Sequence, residues 1–279
     1  MMKIIDGKKI RDDMLSKIKR EVLDLPFRPV FCDVLVGEDL VSKQYIKMKS
    51  KYAEKAGISF YDASFPSSIS TEKLVEEIKR INNIENICGI IIQLPLPDSF
   101  DSKIILDAID PSLDVDCLGN KNSERFYNNE SNLGLPTALA CMEILNSLNI
   151  DLKNKKIVIL GQGELVGKPV ASLLRFAGFE PIIVDSKTKN KEEFIKQADV
   201  IISGMGNGKY ITGNMIKNGV VIIDAGTSES GASVVGDVDL DSVANKASFV
   251  SPVPGGVGPV TVAMLLNNVL QVAKAKAKS

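Results

Sequence analysis

Histidine does not occur in this 279-residue chain. Its absence removes the commonest general base near neutral pH and the commonest metal ligand. Acid–base chemistry must fall to lysine, tyrosine or a carboxylate, and no metal site is expected. Cysteine is scarce: Cys32, Cys88, Cys117 and Cys141 are scattered with no Cys-x-x-Cys pair. That pattern suits free buried thiols in a reducing cytosol better than a disulfide or zinc framework. No segment reaches the ~18 consecutive apolar residues of a membrane span. The opening Met-Met-Lys-Ile-Ile-Asp-Gly carries a charge at Lys3 and no long apolar stretch, so no secretion signal is expected and the location reads as cytoplasmic. Surplus charge is missing too. The net charge is −1, whereas nucleic-acid binding needs a basic footprint. The one basic run, Lys274, Lys276 and Lys278, reads as a solvated helix end.

What is present is the composition of a globular enzyme. An apolar share of 44% beside 25% charged residues argues against disorder. The length exceeds one ordinary core, so two domains are expected. Helical and strand patterns alternate from end to end. Ile10, Met14, Ile18 and Val22 recur at helical spacing before Pro26, and Val30–Val36 is a short β-branched run ending at Gly37. A helix is predicted from Ser42 to Ala56, a strand over Ile58–Ala63, a helix through Leu74, Val75, Ile78 and Ile81, and a strand over Ile87–Gln93. Pro95 and Pro97 end that strand, since proline cannot continue a ladder. Leu118–Leu135 is polar and asparagine-rich and reads as the exit from the first domain. A helix over Ala138–Leu148 follows, then strands at Lys156–Leu160, Pro181–Val184, Asp199–Ser203, Val220–Asp224 and Phe249–Val250. The order implies α/β architecture in two domains. Residues 1–136 would form an N-terminal substrate domain on a mainly parallel sheet, and residues 137–258 a Rossmann-like, doubly wound dinucleotide domain. A last helix over 259–279 would pack back on the first, with the active-site cleft between the domains.

The chemical signals cluster at strand ends. After Leu160 comes Gly161-Gln162-Gly163-Glu164-Leu165-Val166-Gly167. Gly161 suits a tight turn, Gly163 close approach of a pyrophosphate, and Gly167 close packing of helix on strand, with helix N–H groups facing the anion. The spacing is one residue longer than the usual fingerprint, and a glycine turn without ligand is the plainer alternative. Asp185 ends the next strand, where an acidic residue commonly meets the adenosine ribose. Ser186, Lys187 and Thr188 follow, and a lysine there can instead meet a 2′-phosphate. Gly204-Met205-Gly206, Ala225-Gly226-Thr227 and Gly255-Gly256-Val257-Gly258 also fall at strand ends. In the first half, Tyr45 and Lys49 are four apart and share a helix face, a spacing that by itself favours a packed tyrosine and a snorkelling lysine over a site. Gln93 is a polar end to an apolar strand, either satisfied by backbone or aimed into a cleft. Asp114 and Asp116 share a face in an extended segment.

Taken together these runs resemble a family. Ile5-Asp6-Gly7-Lys8, Ser42-Lys-Gln-Tyr45-x-x-x-Lys49, Gly89-Ile-Ile-Ile-Gln93-Leu-Pro-Leu-Pro97, Asp114-Val-Asp116 and Pro252-Val-Pro-Gly-Gly-Val-Gly-Pro259-Val-Thr261 are similar, in order over nearly the whole chain, to bifunctional methylenetetrahydrofolate dehydrogenase/methenyltetrahydrofolate cyclohydrolase. The resemblance implies oxidation of 5,10-methylenetetrahydrofolate by a nicotinamide dinucleotide and hydrolysis of the methenyl cation to 10-formyltetrahydrofolate, a step of one-carbon metabolism feeding purine biosynthesis. It implies a homodimer as well. Lys49 would be the acid–base group, oriented by Gln93. Since an ordinary lysine near pKa ~10.4 is a poor base at neutral pH, burial or a cationic neighbour would have to help it. Tyr45 would stack on the substrate rings, and Asp116 would accept from the pterin's amino edge. Ser42, Pro254, Gly255, Gly256 and Thr261 would complete the folate contacts. Gly161, Gln162, Gly163, Gly167, Asp185, Ser186, Lys187, Gly204 and Thr227 would hold the dinucleotide.

The chain departs from the family pattern at several positions. It has Gln162-Gly163 where an Arg-Ser pair is usual, and Asp185 where a histidine is usual. Both changes remove positive charge near the ribose and count against a 2′-phosphate, while Ser186 and Lys187 remain to meet one; with the family's usual choice, the expected cofactor is NADP, with NAD left open. Leu113 stands for the usual lysine, and Leu135-Pro136-Thr137-Ala138 for Pro-Cys-Thr-Pro. Two other readings stay open on the sequence: a two-domain dehydrogenase for another small acid, and an inactive dinucleotide-binding regulator.

Overall fold

The computed structural model describes residues 2–230 and 233–278. It divides into two compact units. One comprises the residues up to Asp12 with Pro136–Thr261, and the other comprises Asp13–Leu135 with the residues from Val262 on. Two of the three divisions fall inside helices, Gly7–Leu23 and Val257–Lys276, and the third at the start of the helix Pro136–Ser147.

The unit containing Asp13–Leu135 is built on three parallel strands in the order Ser59–Phe65, Val30–Val36, Ile87–Ile92. Residues 113–114 run alongside, with a bridge from Ile90 to Asp114 and the Ile90 N–H donating to the Leu113 carbonyl at 2.8 Å. Ile87–Ile92 is buried at every position, as expected for a strand covered on both faces. The helix Leu40–Lys55 begins where the Asp39 side chain accepts from the Ser42 N–H at 2.7 Å, and Thr71–Ile81 begins in the same way at Ser70. Their apolar faces, with Ile18 and Val22 of the first helix and Leu266, Val269 and Leu270 of the last, form one core around Phe31, Val34 and Ile90.

The other unit holds six parallel strands in the order Lys3–Ile4, Phe249–Val250, Val221–Asp224, Val200–Ser203, Ile157–Leu160, Ile182–Val184. Counted from Ile157–Leu160 as the first, the five strands of the C-terminal half run 2-1-3-4-5, one of the two common doubly wound orders. The α/β, doubly wound expectation is therefore met. A small antiparallel pair, Ser228–Ser230 with Ser233–Val235, lies outside this sheet.

Three features differ from the sequence expectations. Lys3–Ile4 is a strand of the six-stranded sheet, pairing Lys3 with Phe249 and Ile4 with Val250, so the first dozen residues group with the C-terminal half and not with residues 13–135. Within the asparagine-rich segment 118–135 stands a helix, Asn120–Tyr127, whose Asn122 side chain is buried and donates to the carbonyls of Pro111 and Asp114 at 2.7 and 3.1 Å. The last helix starts at Val257, two residues before Pro259, and ends at Lys276. Ser279, included in the expected 259–279 helix, lies outside the described residues.

Candidate active site

In the unit around Val30–Val36, the functional side chains gather at the carboxyl ends of parallel strands. The Gln93 N–H donates to the Val34 carbonyl at 2.8 Å, holding the residue after Ile87–Ile92 beside the central strand. Lys49 projects from the third turn of Leu40–Lys55 and is only 8% exposed. Its Nζ donates to Gln93 Oε1 at 2.8 Å, while Gln93 Nε2 donates to the Leu94 carbonyl at 3.2 Å. The same Nζ lies 2.6 Å from Asp33 Oδ2. Asp33 is fully buried. Burial pushes its carboxyl up from the ordinary range and the Lys49 charge opposes that shift. Nothing in the sequence reading named Asp33. The available signal was a lone acid inside Val-Phe-Cys-Asp-Val-Leu-Val, a strand otherwise free of charge.

Asp116 belongs electrostatically to this cluster. Withdrawal from water pushes its carboxyl up to about 7, the Lys49 charge lowers it, and Asp114 and Asp33 raise it. Its neighbour Asp114 is buried, accepting from the Gly119 N–H at 2.9 Å through Oδ2. Asp114 thus shapes the loop. Tyr45, one helical turn before Lys49, leaves 48% of its surface exposed, so its ring is available to a ligand face and is not a core tyrosine. Ser42 is buried and bound into the Asp39 cap, a local duty that competes with ligand contact.

In the other unit, the first and third strands of the doubly wound sheet leave in opposite directions, which opens a crevice at the carboxyl ends of Leu160 and Ser203. Gly161 has φ +93°, in the left-handed region, and a Cβ on Gly167 would stand 2.1 Å from the Gly161 carbonyl oxygen. Only glycine fits that crossing of turn and helix. Gly163 faces open space, with no heavy atom within 4 Å of a Cβ placed there. The helix Gly167–Phe176 has no side-chain cap. The Lys168 N–H donates to the Gly163 carbonyl at 3.2 Å and Pro169 has no N–H, so any anion contact at this end falls to the glycine turn itself. Gln162 turns its amide back to the Gly161 carbonyl at 2.8 Å.

Asp185 follows the Ile182–Val184 strand but is occupied locally. Its Oδ1 accepts from the N–H groups of Lys187 and Thr188 at 2.9 and 3.0 Å and from the Thr188 hydroxyl at 2.9 Å. Ser186 and Lys187 remain exposed on that turn. Gly204 faces the Val166 side chain at 2.6 Å from an added Cβ, so its smallness serves packing, while Thr227 is exposed. The Gly204–Asn207 loop hangs on a residue the sequence reading missed. Buried Asp237 accepts from Ser203 Oγ at 2.6 Å, the Met205 N–H at 2.8 Å and the Asn207 N–H at 2.7 Å. The Pro252–Gly258 loop closes on the first helix, with the Gly7 N–H donating to the Gly255 carbonyl at 3.1 Å and the Gly256 N–H to the Pro252 carbonyl at 2.7 Å. Pro254 is exposed and Gly256 buried, and the Thr261 hydroxyl donates back to the Val257 carbonyl at 3.2 Å.

One unit with a switch-point crevice and an uncapped helix start, and another with a lysine held between an amide and a buried carboxylate, define a two-unit α/β protein of the dinucleotide-binding class. Comparison with known proteins narrows the class. Residues 5–116 match the tetrahydrofolate dehydrogenase/cyclohydrolase catalytic domain and residues 136–277 match the NAD(P)-binding domain of the same family. The chain belongs to that family. It is 41% identical over 281 residues to the bifunctional protein FolD of Nautilia profundicola, covering 99% of each chain. The crystal structure of the bifunctional FolD methylenetetrahydrofolate dehydrogenase/cyclohydrolase of Campylobacter jejuni matches with a TM-score of 0.94 at 34% identity, over 99% of this chain and 100% of that one. The Trypanosoma brucei FolD structure, complexed with NADP and an inhibitor, matches with a TM-score of 0.93 at 31% identity, over 100% of this chain and 99% of that one. Among the described residues no helix is long and apolar enough to cross a membrane.

Proposed function

We propose that the chain oxidises 5,10-methylenetetrahydrofolate to the 5,10-methenyl cation with NADP and then hydrolyses that cation to 10-formyltetrahydrofolate. The observation that carries this reading is Lys49: in a chain without histidine, it is a nearly buried amine whose Nζ is fixed by Gln93 Oε1 at 2.8 Å and Asp33 Oδ2 at 2.6 Å. Lys49 moves the proton in the hydrolysis and Gln93 orients it. Exposed Tyr45 offers a ring face to the substrate. Asp116 accepts from the pterin's amino edge, with Ser42, Pro254, Gly255, Gly256 and Thr261 as further folate contacts. The folate domain is taken as residues 1–136 with the helix over 259–279, less the first dozen residues, and the dinucleotide domain as 137–258. The same reading makes the protein a cytoplasmic homodimer.

The crevice residues fit a dinucleotide. The open backbone at Gly163 and the turn that leads into Gly167–Phe176 suit a pyrophosphate, with Gly161, Gln162, Gly167, Gly204 and Thr227 around it. When bound, the nicotinamide supplies the hydride acceptor. The preference for NADP rests on the Asp185 turn: it spends Oδ1 on its own backbone while presenting Ser186 and Lys187 outward. The test is steady-state oxidation of methylenetetrahydrofolate with each dinucleotide, in the wild type and in Asp185→Asn. The asparagine keeps an acceptor for the turn and removes a negative charge, so kcat/KM for NADP should rise several-fold, roughly the weight of one screened charge. A wild type that uses NAD well above NADP, with the variant worse on NAD, would make Asp185 the ribose ligand instead.

A further inference from the structure

The functional reading gives Asp33 no role beyond its contact with Lys49, yet its position is unusual. It sits in the middle of the central strand of its sheet, 0% exposed. Oδ2 lies 2.6 Å from Lys49 Nζ. Oδ1 has no hydrogen-bond partner among the described residues. A buried carboxylate is normally retained only when its oxygens are satisfied, because an unpaired anion in low dielectric is costly. One oxygen without a donor is tolerable if the group spends part of its time as a neutral acid. The titratable groups facing the pair are few. Asp62 is the in-register neighbour on Ser59–Phe65, exposed, and its charge raises Asp33. Asp116 feels both Lys49 and Asp33. Cys32 precedes Asp33 on the strand, its thiol held protonated by burial. Gln93 is neutral.

We propose that Asp33 is a positioning residue that takes the proton of Lys49, so that a free amine faces the methenyl cation at neutral pH. The inference rests on the assignment of Lys49 as the acid–base group of the hydrolysis. In the exchange a Lys49 Nζ–H bond breaks and an Asp33 Oδ2–H bond forms. An ammonium–carboxylate pair becomes an amine–acid pair with no change of net charge. The arriving substrate is a cation, and a positive charge placed near Nζ drives the proton toward the buried oxygen. Water then bonds through its oxygen to the methenyl carbon and passes one proton to Nζ. The carbon–N5 bond breaks, N5 takes that proton from Nζ, and the formyl C=O forms with loss of water's second proton. One proton is released per cation hydrolysed, and Asp33 retains its own throughout. The pair presents no bare ammonium to a cationic substrate, and the amine does not depend on bulk solvent to remove its proton.

The distinguishing measurement is the pH profile of kcat for methenyl hydrolysis, corrected for the uncatalysed rate. For the wild type, kcat should vary by less than about threefold across neutral pH, because the proton stays within the pair. In Asp33→Asn the amine must lose its proton to solvent, so kcat should fall about 10²-fold at neutral pH and climb roughly tenfold per pH unit. Asp33→Val, which matches its apolar strand neighbours, should show the same slope and serves if the asparagine variant does not fold. A steep wild-type profile overturns the proposal without any variant. A loss of equal size at every pH in either variant also overturns it, since that is what a purely structural partner would give. If Lys49→Met hydrolyses the cation normally, the assignment of Lys49 fails first and the two failures are told apart.

Discussion

Asp237 and Asp33 are both fully buried, yet their surroundings have nothing in common. Asp237 fills both oxygens with donors from Ser203, Met205 and Asn207. Its partner Asp224 does the same, accepting from the N–H groups of Gly226 and Val238 at 3.0 and 2.9 Å. These acids replace water for a set of backbone donors and tie loops to the ends of the six-stranded sheet. Asp33 instead has one oxygen against an ammonium and one against nothing. The first arrangement is complete and therefore rigid. The second is incomplete, and its one contact is with a group that can exchange a proton. Asp114 stands between them, with Oδ2 accepting from Gly119 and Oδ1 without a partner among the described residues, and only Asp33 has its oxygen against Lys49 Nζ.

The comparison breaks most visibly at Lys49. Lys49→Met should lower methenyl hydrolysis by about 10²–10⁴-fold, the usual size of a lost acid–base group. Dinucleotide binding, measured by fluorescence titration, should be unchanged, because Lys49 and the crevice residues belong to different units. Hydrolysis within a few-fold of wild type would end the functional contrast between the two acid sets.

The filled set makes its own prediction through pH. Burial, and then the charge of Asp237, push Asp224 up to about 7 from an ordinary 3.8, and this difference is worth about 4 kcal/mol. The folded state holds the proton more tightly than the unfolded state. The stabilising contribution is therefore complete below about 3.8 and is lost as pH rises toward about 7. Urea unfolding at a series of pH values should show the wild type losing stability relative to Asp224→Asn over that window. Parallel curves would mean that the carboxyl is ionised throughout in the fold.

A smaller effect is expected at Asp116, the intermediate case, which is pushed up to about 7 but placed to receive a ligand. Asp116→Ala should weaken folate binding by about 1.5–3 kcal/mol, the worth of hydrogen bonds to a charged group, with the dinucleotide unaffected. Wild-type folate affinity should fall as pH drops below about 7, since protonation removes the acceptor, and the alanine variant should lose that dependence. Calorimetry with equal folate affinities would move the pterin pocket away from Asp116.

Much of this was legible before any fold was seen. The apolar run Val30–Val36 reads as a buried strand and is one at those same residues. The Gly161–Gly167 spacing places a turn between strand and helix, where φ at Gly161 and the approach of Gly167 leave no room for a side chain. Elsewhere local pattern misleads. Asn122 looks like loop composition, but it is a buried donor to two carbonyls on a helix. Lys3–Ile4 is too short to show a period and exists as a strand only because Phe249–Val250 lies beside it.

By itself the sequence determined the alternation of strands and helices, the family, and the short list of groups able to do acid–base work once histidine is absent. Those properties depend on residue type and spacing along the chain, which composition and periodicity expose directly. Tertiary structure alone decided that Asp33 meets Lys49, that Gln93 turns its oxygen to the same amine, and that Asp237 carries the Gly204–Asn207 loop. Those partners lie 16, 44 and about 30 residues apart in the chain. Their meeting depends on the order in which parallel strands lie side by side, a property that no local run of residues contains.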